Sequence, residues 1–93
     1  MKYKKKPIPV EAIKMGKDGF EETPEWFTKA LSTSKVYYRN YFGSNCIKCG
    51  FRVQTLEGNM DGNIGDYLVR GVDGELYPCK GDIFEKTYDR IEE

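Results

Sequence analysis

The chain has 93 residues, 39% of them hydrophobic and 32% charged, with 15 basic and 15 acidic side chains and no histidine. That length suits a single small domain with a modest core. Balanced charge argues against a dedicated nucleic-acid binder, which carries a basic excess, and the missing histidine excludes a Ser-His-Asp or Cys-His catalytic site within one chain.

The amino-terminal run Met1 to Val10 begins with charge but has no apolar stretch behind it, and no 18-residue apolar run occurs anywhere. Neither a signal peptide nor a membrane span is therefore expected. Ile8, Val10 and Ala12 alternate with Pro9, Glu11 and Ile13, which predicts a half-buried first strand whose prolines confine its start to a sheet edge. Gly16-Lys17-Asp18-Gly19 reads as a turn. Thr23-Pro24-Glu25 supplies an N-cap, a proline at the first helical position and an acid in the first turn. Trp26, Phe27, Ala30 and Leu31 then mark one face of a short helix, which Ser32-Thr33-Ser34 ends.

Beyond the helix, strand signals dominate. Val36 to Phe42 and Phe51 to Leu56 are rich in β-branched and aromatic residues. Tyr67 to Val72 and Glu75 to Cys79 flank Asp73-Gly74, a signal for a two-residue hairpin. Gly58, Gly62 and Gly65 predict a turn between strands, because Asp61-Gly62-Asn63-Ile64-Gly65-Asp66 departs from a calcium loop at the positions of the glycine and the bidentate glutamate. Asp82 is placed to cap a turn of helix through Lys86, and Tyr88 to Ile91 to return as a last strand. The expected fold is α+β, with a curved antiparallel sheet of five or six strands and one short helix packed on it.

Three features bear on function. Cys46-Ile47-Lys48-Cys49-Gly50 is half of a tetrahedral zinc site, with Cys79 a third possible ligand. The half-site is outweighed by a reading of plain thiols, so no cofactor is expected, and a redox pair is less favoured still because the spacing lies in strand-like sequence rather than at a helix start. Thirteen residues are aromatic. In Val36 to Phe42 the alternation puts Tyr37, Arg39 and Tyr41 on one strand face and Val36, Tyr38 and Phe42 on the other. A Tyr/Arg/Tyr row left exposed can stack a ring and hold a phosphate, or serve as a protein hot spot; packed across strands it is simply core. Lys5, from the basic cluster at the amino end, and Arg70 complete the candidate anion-binding set. Residues 1–52 carry 11 Lys/Arg against 5 Asp/Glu, and residues 53–93 carry 4 against 10, so the halves have net charges of +6 and −6. Such halves neutralise each other within the fold or pair chain with chain, and with exposed strand edges they predict a homo-oligomer.

The opening Met1-Lys2-Tyr3-Lys4-Lys5-Lys6-Pro7, with Val10-Glu11-Ala12-Ile13, resembles a family of small tailed-phage and prophage proteins. Thr55-Leu56-Glu57-Gly58-Asn59-Met60, Gly65-Asp66-Tyr67, Gly71-Val72, Gly74-Glu75, Tyr77-Pro78-Cys79-Lys80 and Asp82 to Tyr88 resemble its second half. These blocks span residues 1–14 and 55–88, or 48 of the 93 positions. Ile64 and Gly81 stand where the family has proline. The resemblance implies a phage origin and a bacterial cytoplasm, and it supplies no reaction. Accessory phage genes often act on host defences. The expectation is a non-enzymatic binding protein that sequesters a nucleotide-like signal. Its alternative is a protein–protein module that blocks a host enzyme or serves in assembly.

Overall fold

In the computed structural model, which describes residues 1–3, 8–40, 48–89 and 91, the described strands form two antiparallel sheets. Their elements run β1 (Glu11–Gly16), β2 (Gly19–Phe20), α1 (Glu25–Ser32), β3 (Val36–Arg39), β4 (Gly50–Thr55), β5 (Gly58–Asn63), β6 (Tyr67–Arg70), β7 (Leu76–Cys79) and α2 (Gly81–Thr87). One sheet has the order β2-β1-β6-β7 and the other β3-β4-β5. The fold is α+β as expected, but the single curved sheet of five or six strands is replaced by one of four and one of three. No ladder joins them; instead their inner faces share one core. Ile13, Met15, Phe20, Leu68 and Leu76 come from the first sheet, Val36, Phe51 and Val53 from the second, and Phe27 and Ala30 from α1. Burying two apolar faces against each other removes more surface from water than extending one sheet whose second face stays wet.

The local chemistry explains each boundary. Residues 17–18 close the β1–β2 hairpin between Gly16 and Gly19, as expected. Within β1 the buried residues are Ile13 and Met15, while Ile8 is exposed and precedes the strand, so the alternation of Ile8, Val10 and Ala12 does not mark the core face. The α1 helix starts one residue later than expected. Pro24, not Thr23, is the N-cap, its extended backbone leaving its carbonyl to accept the amide protons of Phe27 and Thr28 at 3.0 and 3.1 Å. Phe27 and Ala30 are buried, and Trp26 and Leu31 pack partly against the core. At the other end the Lys35 amide donates to the Ala30 carbonyl and the Ser34 amide to that of Leu31, at 2.9 and 3.1 Å, with Ser34 in the left-handed region at φ 59°. That pair of bonds is a Schellman termination with serine at the position glycine usually takes.

Three further expectations are corrected. The β6–β7 connection is a three-residue loop: Gly71 donates to the Glu75 carbonyl at 2.8 Å and accepts from Gly74 at 3.0 Å, a type I turn followed by a left-handed glycine. Gly62 is not in a turn. It lies in β5 opposite Phe51, and a β-carbon there would collide with the Phe51 ring. Tyr88 to Ile91 shows no strand among the described residues. The Tyr88 ring instead stacks on Phe84 at 4.8 Å, and Phe84 stacks on Tyr67 at 4.1 Å, so α2 is held to the outer face of the four-stranded sheet by a short stack of rings.

The α2 helix is anchored at its start by Asp66. One carboxylate oxygen accepts from the Gly81 amide at 3.1 Å, the other from the Asn63 amide at 2.9 Å. Gly81 approaches the Gly65 carbonyl so closely that a β-carbon would not fit. This accounts for glycine at 81: a proline there has no N–H to give Asp66.

Candidate functional site

The outer face of the three-stranded sheet carries a polar row. Register sets Tyr37 opposite Arg52 and Arg52 opposite Asp61, while Arg39 lies one pleat along from Tyr37 on β3. Period-two geometry turns all four to the same side, because Val36, Phe51, Val53 and Gly62 fill the inner side. Arg52 grips Asp61 with two parallel bonds, Nε to Oδ1 at 2.6 Å and Nη2 to Oδ2 at 3.1 Å. Tyr37 stands directly across the ladder from it and favours its charged form. The Arg39 guanidinium reaches the same carboxylate more loosely, Nη1 to Oδ2 at 3.4 Å. Two guanidinium groups thus share one carboxylate, and the row keeps a net positive charge.

The electrostatics follow from that sharing. Hydrogen bonds from Arg52 hold the Asp61 carboxyl below its usual range; partial burial opposes this, and the charges of Arg39 and Arg52 reinforce it. Arg52 is held protonated, chiefly by its bonds to Asp61. A carboxylate so occupied is a poor proton acceptor. What the row offers is recognition: among the described residues Arg39 is paired only with Asp61, and Tyr37 beside it is 38% exposed.

Sequence reasoning placed Tyr37 and Arg39 on one strand face, and the structure has them there, with Tyr38 turned inward against Phe20 and Phe27. The third member of that row, Tyr41, lies outside the described residues, as does Lys5. Arg70 does not join them. It belongs to the other sheet, at the end of β6, where it faces Glu11 across the ladder at 3.6 Å. Arg52 and Asp61 were missed. Arg52 was legible, since Phe51 and Val53 flank it and alternation turns it outward; Asp61 was hidden in a run of Gly, Asn and Asp that reads as a turn.

The cysteines do not assemble as a described cluster. Cys46 lies outside the described residues. Cys49 is disulfide-bonded rather than a plain thiol, so it has no thiolate to give a metal in this state. Cys79, on β7, is a free thiol pushed up in pKa by burial and by the charges of Asp66 and Asp82. Among the described residues no group of three or more His, Cys, Asp or Glu side chains is placed to hold a metal ion. No helix there is long and apolar enough to cross a membrane.

An open groove of about 720 Å³ lies where the space between the sheets reaches solvent. The β4–β5 hairpin supplies Thr55, Leu56 and Met60, and β7 supplies Leu76 and Tyr77. Leu56 is fully exposed and Met60 is 41% exposed. A smaller depression of about 490 Å³ separates the β1–β2 hairpin from Ile64 and Gly65. The chain matches no protein-family model, no curated protein and no solved structure.

Proposed function

We propose that this is a non-catalytic, phage-type binding protein that engages a host protein through the outer face of its three-stranded sheet. The observation that carries this reading is the Tyr37–Arg52–Asp61 row with Arg39 beside it. Tyrosine and arginine are the residues that most often anchor protein interfaces. Here they lie on an open sheet face, held in place by one another, so little side-chain freedom is lost on binding. An open face suits the broad surface of a protein better than a small molecule, which binds where walls enclose it.

A host protein bound to the immobilised wild-type chain, and released by both Tyr37→Ala and Arg39→Ala, is the expected outcome of affinity capture from bacterial lysate. Recovery of chaperones alone, with variants and wild type alike, would overturn the reading.

One observation favours a second reading, sequestration of a nucleotide-like signal. Among the described residues the Arg39 guanidinium is paired only with Asp61, beside an exposed tyrosine, which suits a phosphate attached to a base. Calorimetry with linear and cyclic nucleotides separates the two. Heat that vanishes in Arg39→Ala assigns the row to nucleotides; no heat leaves it to a protein.

A further inference from the structure

The groove between the β4–β5 hairpin and β7 is independent of the polar row. It opens on the inner side of the hairpin, where Met60 continues the core face past the point that the other sheet covers. Its apolar floor is rimmed by Glu57 and Glu75, against one lysine, Lys35. The rim is therefore net acidic.

The amino-terminal end of the chain has the opposite character. Met1 and Tyr3 are almost fully exposed, Ile8 is about half exposed, and Lys2 lies between Met1 and Tyr3. The strand that follows this segment, β1, begins beside the groove. Glu11, where β1 begins, pairs with Arg70, which pairs with Leu76 of the groove. With neighbouring strands about 4.8 Å apart, the start of β1 is about 10 Å from β7. Yet Met1 and Tyr3 do not line the groove in the single chain.

We propose that a second copy of this chain closes the groove, each copy laying Met1-Lys2-Tyr3 across the Leu56/Met60 floor of the other. Because β1 starts near the groove, a two-fold axis there makes the exchange reciprocal and closed, without free ends that would build filaments. Lys2 meets the Glu57 and Glu75 rim, and two sets of exposed apolar side chains cover each other.

Sedimentation velocity on the full chain tests this. The wild type is expected to be a dimer. Met60→Glu and deletion of residues 1–3 should each raise the dimer dissociation constant about tenfold or more. Lys2→Glu should weaken the dimer, and adding Glu57→Lys should restore it. Circular dichroism checks that the variants fold, and the deletion alters no described secondary-structure element. A monomeric wild type would overturn the proposal, whether the groove stays open, is filled by the chain's own amino end or takes a host protein. So would a dimer that survives both Met60→Glu and the deletion. The polar row uses none of these residues, so failure here leaves the host-protein reading standing, and the reverse.

Discussion

The two sheets are built from the same hairpin units and are treated very differently by their surroundings. In the four-stranded sheet, consecutive residues Leu68 and Val69 are both fully buried, one in the shared core and one on the outer side, where Phe84 stacks on Tyr67. In the three-stranded sheet, β5 exposes five of its six residues, and the polar row lies on the face opposite the core. The four-stranded sheet is thus packed on its core side and partly overlaid by stacked rings on the other. A sheet covered on one side has a rigid free face, and this protein has placed its mutually fixed arginines and tyrosine there.

The strongest way to break that contrast is within β4, where neighbours point to opposite faces. Phe51 is fully buried, its ring centroid 4.9 Å from that of Phe20 on the other sheet. Phe51→Ala should cost about 3–5 kcal/mol in urea unfolding, followed by the fluorescence of Trp26. Arg52→Ala, one residue on, should leave the unfolding midpoint near the wild type while abolishing partner capture. A large loss from Arg52→Ala would mean that the outer face is structural after all.

The four-stranded sheet has its own weak point at Gly81. Gly81→Pro removes the bond to Asp66 and crowds the Gly65 carbonyl. It should cost about 1–3 kcal/mol, with amides of α2 losing exchange protection before those of β3 and β4. A smaller effect of opposite sign is expected at the helix end. Ser34→Gly relieves the left-handed backbone at φ 59° and should raise stability by about 0.5–1 kcal/mol.

The smallest effect sharpens the electrostatic side of the comparison. Because the folded state holds the Asp61 carboxyl below its ordinary value of 3.8, its contribution is present above that value and lost as pH falls through the folded pKa. The drop in urea midpoint from neutral pH to about pH 3 should be smaller in Asp61→Asn than in the wild type. The difference should shrink in high salt, since the pair is exposed.

The same contrast explains what could be read from the sequence. Helix α1 was legible because Phe27 and Ala30 fall at helical spacing, and β3 because its aromatic alternation separates Tyr37 from Tyr38. Strand β5 was not. Gly58-Asn59-Met60-Asp61-Gly62-Asn63 has almost no strand propensity, and it is extended because β4 offers it a ladder and the Phe51 ring needs the space that only a glycine leaves. One of the four members of the polar row, Asp61, sits on that strand, and it is the member that the sequence hid. The division into two sheets was out of reach for another reason: alternation tells which residues face inward, and says nothing about which inward faces meet. The first strand shows the limit of alternation itself, since Ile8, Val10 and Ala12 alternate as well as Ile13 and Met15 do, and only pairing with β6 chooses between them.

Tyr38 joins the two sheets by a single polar link. Its hydroxyl accepts the amide proton of Phe20 at 3.2 Å, from a strand of only two residues on the opposite sheet. That proton can exchange with solvent deuterium only when Phe20 comes away from β3. The Phe20 amide is thus a built-in clock for the parting of the layers. If a ligand on the polar row slows that clock, the free face and the buried seam are mechanically connected; if it does not, the outer face does its work without disturbing the core.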